Sequence, residues 1–160
     1  MKPSPLIQPT VEALCDCFQS HDEGMSAAVD LAVLVALADG RIDRAEMIAI
    51  AASLEVIAGT QLSVPVVRHL VRESREKIES VGAEARARAI GEALAAHGCI
   101  DEGLRLALVI ALASEGLCPA EREQIDIVAN AAGASMERVE ALRREVEAAP
   151  GTYSTDRPRR

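Results

Sequence analysis

Aromatic residues are nearly absent from this sequence. It contains one Phe, one Tyr and no Trp among 160 residues, whereas it contains 29 alanines. Strands favour aromatic and β-branched residues, while Ala is the best helix former. A core built from Ala, Leu, Val and Ile therefore predicts an all-α fold, in which small side chains allow helices to approach closely.

Long apolar runs are also missing. No run reaches the roughly 18–20 residues of a membrane span, and the first ten residues contain three Pro and no apolar core of a signal peptide. Four Cys without a secretory signal are typical of free thiols in a reducing compartment. The sequence therefore predicts a cytoplasmic protein without a transmembrane segment.

Basic residues are fewer than acidic ones. The chain has 17 Lys and Arg against 25 Asp and Glu, and its net charge is -8. The last ten residues contain three Arg and one Asp, so residues 1–150 carry 14 basic and 24 acidic side chains. Such a surface repels phosphate backbones and excludes nucleic acid as a partner, whereas cations or basic protein surfaces would be attracted.

One pattern occurs twice. Residues 32–54 match residues 107–129 at a constant offset of 75, without a gap, with 7 identical and 4 conservative pairs in 23 positions. Each copy reads as the end of an apolar helix, a short polar loop and the start of a second helix. An internal duplication explains this match.

The duplication and the helical periodicity together predict the architecture. We expect a flexible leader over 1–8, a single all-helical domain over 9–150 and a disordered tail over 151–160. The domain divides into repeat halves of about 9–81 and 82–150, each a four-helix unit, related by a pseudo-twofold axis. The eight predicted helices cover about 9–20, 25–38, 43–58, 63–80, 83–97, 101–115, 119–132 and 135–150. The second and sixth are apolar on nearly every side, so we expect them at the centre.

The loop of the first copy is acidic. Asp39, Gly40, Asp43 and Glu46 fit the later positions of an EF-hand loop, where carboxylates bind Ca²⁺ and Gly allows a sharp turn. The first two ligand positions would be Val35 and Leu37, which cannot bind a hard cation. The pattern therefore predicts at most a weak site for Ca²⁺ or a similar divalent cation.

Helix capping explains the same residues without a metal. Asp43 and Glu46 have capping-box spacing, and Gly40 supplies a positive φ. In the second copy Ser114 and Cys118 replace the two aspartates. Glu121 keeps its register, and Glu115 lies one position away. If a twofold axis brings the loops together, Glu115 and Glu121 would complete a site begun by Asp39, Asp43 and Glu46.

Other motifs give weaker signals. Cys15 and Cys17 are two residues apart, and on a helix their side chains point about 200° apart, so they cannot share one zinc ion. His97 and Cys99 lie at a predicted helix end, where a capping or surface His is the commoner arrangement. The sequence has no phosphate-binding loop and no hydrolase or zinc-protease motif. We therefore expect a protein that is not an enzyme.

The duplicated segment A-D-G-R-I-D-R-A-E, with an apolar helix on each side, resembles the TerB-like tellurite-resistance family. The resemblance covers about 25–53 and 104–133. It implies two four-helix halves, acidic patches that bind metal ions, and a cytoplasmic location that extends to the inner face of the membrane. It also implies association with a membrane-associated stress-response complex.

Two functional hypotheses follow. In the first, the protein is TerB-like and non-enzymatic, and binds or senses divalent cations through its acidic interhelical loop in tellurite-type stress resistance. In the second, it is a metal-free interaction module that docks a basic partner through its acidic face. Self-association into a homo-oligomer stays open at this stage.

Overall fold

The computed structural model describes residues 2–114 and 116–150. Those residues form eight α-helices and no strand. The predicted all-α fold with about eight helices is therefore confirmed. The helices are α1 (Ile7–Cys17), α2 (His21–Ala36), α3 (Arg44–Ala58), α4 (Val64–Val81), α5 (Ala83–Ala96), α6 (Ile100–Ala111), α7 (Pro119–Ala132) and α8 (Met136–Ala148).

The first helix begins earlier than the sequence predicted. Ile7 is the first residue of α1 and is only 2% exposed, so the predicted leader is shortened to the residues before it. Pro9 falls in the first helical turn, where the backbone N–H that Pro lacks has no helical partner. Pro9 therefore does not mark the first residue of α1, which begins two residues earlier.

The second helix also begins earlier. His21 and the residues after it form the first turn of α2 instead of the predicted polar turn. Ser20 caps this helix, because its Oγ accepts a hydrogen bond from the Glu23 backbone N–H at 3.1 Å. The sixth helix differs from its prediction at the C-terminal end: α6 stops at Ala111, four residues before the predicted last residue.

The centre of the molecule is made by α2 and α6, as predicted. An unbroken buried run, 30–36, occupies the second half of α2, and 106–111 does the same in α6. These two helices pack against each other, and the remaining helices surround them. Because the second half of α2 and most of α6 are apolar on nearly every side, only a central position buries this apolar surface.

Some contacts between helices occur in the matched pairs that a pseudo-twofold arrangement requires. The contact of α2 with α4 has its counterpart in α6 with α8, and that of α3 with α6 has its counterpart in α7 with α2. The match is unequal for α5 and α7, which pack far more closely than α1 and α3. The duplication stays a prediction, which this pattern of contacts supports.

None of the helices in the described part of the chain combines the length and apolar character needed to cross a membrane. The predicted tail over 151–160 lies outside the described residues.

Candidate functional site at two capping boxes

The loop between α2 and α3 ends in a complete capping box. The Asp43 side chain accepts a hydrogen bond from the Glu46 backbone N–H at 2.8 Å. In return, the Glu46 carboxylate accepts one from the Asp43 backbone N–H, also at 2.8 Å. Two otherwise unpaired N–H groups of the helix start are thereby satisfied, as the Asp-x-x-Glu spacing predicts.

The start of α7 has the same arrangement with a different cap. The Glu121 carboxylate accepts a hydrogen bond from the Cys118 backbone N–H at 2.7 Å. The Glu121 backbone N–H donates to the Cys118 sulfur at 3.5 Å. Because sulfur is a weak acceptor, Glu121 carries most of this cap. The reciprocal pattern survives even though Cys replaces Asp.

The two capping-box glutamates meet. Glu46 and Glu121 are each 4% exposed, and the Glu121 carboxyl group is close enough to raise the pKa of the Glu46 carboxyl group. They come from equivalent positions in the two halves, 75 residues apart. One carboxylate oxygen of each is held by its own helix start, so the other side of each carboxyl group is free to face its counterpart.

Protonation follows from this burial. The pKa of Glu46 is raised to about 8, mainly by desolvation. The neighbouring Glu121 and the charge of Asp43 also raise this pKa, whereas the hydrogen bond from the Asp43 backbone N–H lowers it. Two adjacent buried carboxylates cannot both remain charged at low cost. At neutral pH Glu46 therefore holds a proton next to Glu121.

The other acidic residues predicted for the site are placed differently. Asp39 is exposed, and its carboxylate accepts a hydrogen bond from the Arg41 backbone N–H at 3.1 Å. Gly40 has the predicted positive φ, 95°, so Asp39 and Gly40 shape the turn. The Asp43 side chain is used by the cap. Glu115 lies outside the described residues, so the structure brings together only Glu46 and Glu121 of the predicted set.

The pair is smaller than a conventional metal site. Within 2–114 and 116–150, no group of three or more His, Cys, Asp and Glu is placed to hold a metal ion. Two facing carboxyl groups can share one proton, or they can supply oxygen ligands to a hard cation whose remaining ligands are water.

Sequence reasoning missed a second buried polar cluster. Asp30, in the middle of apolar α2, is only 1% exposed. Its carboxylate accepts a hydrogen bond from Ser74 Oγ at 2.7 Å and forms an ion pair with Arg86. The cluster joins α2 to α4 and α5, so it is a structural connection between helices. The sequence feature that could have indicated this cluster is a single Asp within an otherwise apolar helix.

Comparison of the chain with protein-family models, with curated proteins and with solved structures finds no match. The fold and the site define an all-helical protein with a buried pair of glutamates between its two halves. The resemblance to the TerB-like family stays a prediction, and it depends on the acidic loop and the flanking helices alone.

Proposed function

We propose that this is a non-enzymatic protein that binds a divalent cation between Glu46 and Glu121. One observation carries the proposal: two buried carboxyl groups, one from each half, are in contact at the starts of α3 and α7. A buried carboxylate pair needs either a proton or a cation to balance its charge.

The ligand chemistry favours a hard cation such as Ca²⁺, because carboxylate oxygens are the ligands that such ions prefer. Only two carboxylates are available from the described residues, and fewer charged ligands give weaker binding. We therefore propose a dissociation constant in the millimolar range. The bound cation would displace the proton on Glu46, so binding would release a proton and weaken at lower pH.

Such a site would connect ion concentration to the packing of the two halves, since each half supplies one ligand. Together with the TerB-like resemblance, this supports a role as a cation sensor in tellurite-type stress resistance. On the same resemblance we propose a cytoplasmic location, with association at the inner face of the membrane.

Thermal unfolding tests this proposal. Ca²⁺ at about ten times the proposed dissociation constant, in the range of tens of millimolar, should raise the melting temperature, because the folded state is then stabilised by about 1.4 kcal/mol. The double variant Glu46→Gln/Glu121→Gln should lose this response. Gln still accepts the capping hydrogen bond, so the variant removes the charge of the pair and keeps both caps.

Asp39→Asn is the matched control, because Asp39 is an acidic residue of the same loop that lies outside the pair. Its response to Ca²⁺, and to Mg²⁺ and Mn²⁺ in parallel, should equal that of the wild type. Identical responses from the wild type and the double Gln variant would contradict a cation site at this position.

A second candidate function is metal-free docking of a basic partner. A groove of about 550 Å³ lies between the chain start and the end of α3, and its lining includes Glu12 and Glu55. These carboxylates, on a strongly acidic body, complement Lys- or Arg-rich peptides.

A fluorescent oligo-Arg peptide tests this second candidate by anisotropy. Binding should weaken between 50 mM and 300 mM NaCl, since surface charges are screened within about 10 Å at 0.1 M salt. Glu12→Gln/Glu55→Gln should also weaken it, whereas the Glu46→Gln/Glu121→Gln pair should not. Salt-insensitive binding would rule out electrostatic docking.

A further inference from the structure

Two cysteines that are far apart in the sequence lie at one junction of the fold. Cys17 is the last residue of α1, and Cys99 precedes the first residue of α6. The next residue after Cys17, Phe18, packs its ring on that of His97 with centroids 4.4 Å apart. This ring contact holds the end of α1 against the connection between α5 and α6.

The two thiols are neighbours at this junction, close enough for each to shift the pKa of the other. Cys17 Sγ donates a hydrogen bond to the Ala13 carbonyl at 3.3 Å, and Cys99 Sγ donates one to the Leu94 carbonyl at 3.7 Å. Cys99 is completely buried, whereas Cys17 is partly exposed. A solute can therefore reach the pair through Cys17. Cys15, two residues earlier on the same helix, is also partly exposed, and burial and the charge of Asp16 raise its pKa.

We propose that Cys17 and Cys99 form a dithiol pair that small disulfide compounds oxidise to an intramolecular disulfide between the two halves of the protein. This modification site is independent of the cation site at Glu46 and Glu121. It assigns separate roles to the two cysteines: Cys17 reacts with the solute, and Cys99 completes the disulfide.

The chemistry balances as two thiol–disulfide exchanges. The Cys17 thiolate attacks one sulfur of the small disulfide, whose S–S bond breaks and releases one thiolate. The Cys99 sulfur then attacks Cys17 Sγ, and the mixed S–S bond breaks and releases the second thiolate. The two protons lost by the cysteines end on the two released thiols. The protein is oxidised by two electrons, and the small disulfide is reduced.

The surroundings make the first step slow and the second step selective. Burial raises the pKa of Cys17, and the charge of Glu102 raises it further, so little thiolate exists at neutral pH. Burial and the adjacent Cys17 raise the pKa of Cys99 to about 12. Cys99 is therefore inert to solutes, yet it lies next to the mixed disulfide once that has formed.

Mass spectrometry of the full chain tests the proposal. Reduced protein is incubated with oxidised glutathione at pH 8, its remaining thiols are alkylated, and its peptides are mapped. We expect a peptide that links Cys17 to Cys99, with little glutathione retained. The linkage closes a long loop, so the melting temperature of the oxidised protein should exceed that of the reduced protein by roughly 10 °C.

Variants separate the roles. Cys99→Ala should accumulate glutathione on Cys17, and Cys17→Ser should form no linkage to Cys99. Cys15→Ser is the matched control, because Cys15 lies on the same helix with similar exposure; it should behave as the wild type does. Far-UV circular dichroism verifies that each variant is folded, and the wild-type peptide map decides the case without any variant.

Three results would overturn the proposal. The first is a wild-type protein whose Cys17 and Cys99 are both alkylated after long incubation. The second is a linkage between Cys15 and Cys17 instead. The third is stable glutathione on Cys17 in the wild type at the level seen in Cys99→Ala, since Cys99 would then fail to complete the exchange.

Discussion

At the scale of single residues, the Glu46 carboxyl group makes folding sensitive to pH. Its pKa is about 8 in the folded protein and close to 4.5 in an unfolded chain. The folded state therefore binds more protons between these values. Stability from this group is fully present below about pH 4.5 and is lost as the pH rises to about 8, by up to roughly 1.4 kcal/mol per pH unit.

We therefore expect Glu46→Gln to be more stable than the wild type at pH 8, because Gln keeps the capping hydrogen bond without a buried charge. Below about pH 4.5 the advantage should vanish. Urea unfolding in the presence of a chelator, followed by circular dichroism from pH 4.5 to 8.5, measures this difference. A difference that does not grow with pH would place the titration elsewhere.

The sequence predicted one of the two capping boxes of the candidate site. Asp43 and Glu46 have the spacing of a capping box, and the structure has both hydrogen bonds. The second box was not predicted, because Cys118 is a poor acceptor and not a usual cap. The contact between Glu46 and Glu121 depends on how the halves pack, and local spacing carries no direct information about that.

At the scale of helices, the sequence predicted the number and order of elements better than their ends. The start of α2 shows why. Ser20 and Glu23 have the spacing of a helix start, yet the polar residues around His21 also suit a turn. Polarity in a first turn is favourable because acidic side chains there complement the helix dipole.

Close packing of α5 on α7 depends on Gly91. A Cβ at this position would lie 2.3 Å from the Val128 carbonyl oxygen and 2.7 Å from the Ala131 Cβ. Gly91→Ala should therefore destabilise the protein by about 1–3 kcal/mol, because a rigid backbone must shift, although Ala is the better helix former. Thermal or urea unfolding gives the change in free energy.

Gly40 provides the contrast, because a Cβ there meets nothing within 4 Å and only its φ of 95° is unfavourable. Gly40→Ala should cost about 1 kcal/mol or more, and Gly40→Asn should cost less, since Asn tolerates positive φ. At Gly91 the order should reverse, with Asn worse than Ala. If Asn were less destabilising than Ala at both positions, or more destabilising than Ala at both, either the φ explanation at Gly40 or the packing explanation at Gly91 would be wrong.

At the scale of the whole molecule, the two halves share one core. The central helices α2 and α6 come from different halves, pack against each other and are surrounded by the other helices of both halves. Separated halves would each expose an apolar central helix. The halves should therefore unfold together, and we expect a single cooperative transition.

Substitutions at Leu31 and Leu106 test whether the two halves unfold together, because these residues occupy equivalent positions 75 residues apart and are both completely buried. Leu31→Ala and Leu106→Ala should each destabilise the protein by about 2–5 kcal/mol, through lost burial and the cavity left behind. Differential scanning calorimetry should show one peak for every variant, with calorimetric and van't Hoff enthalpies equal, and each substitution should lower that one transition. If each half were an independent unit, two peaks would appear, and each substitution would move only its own.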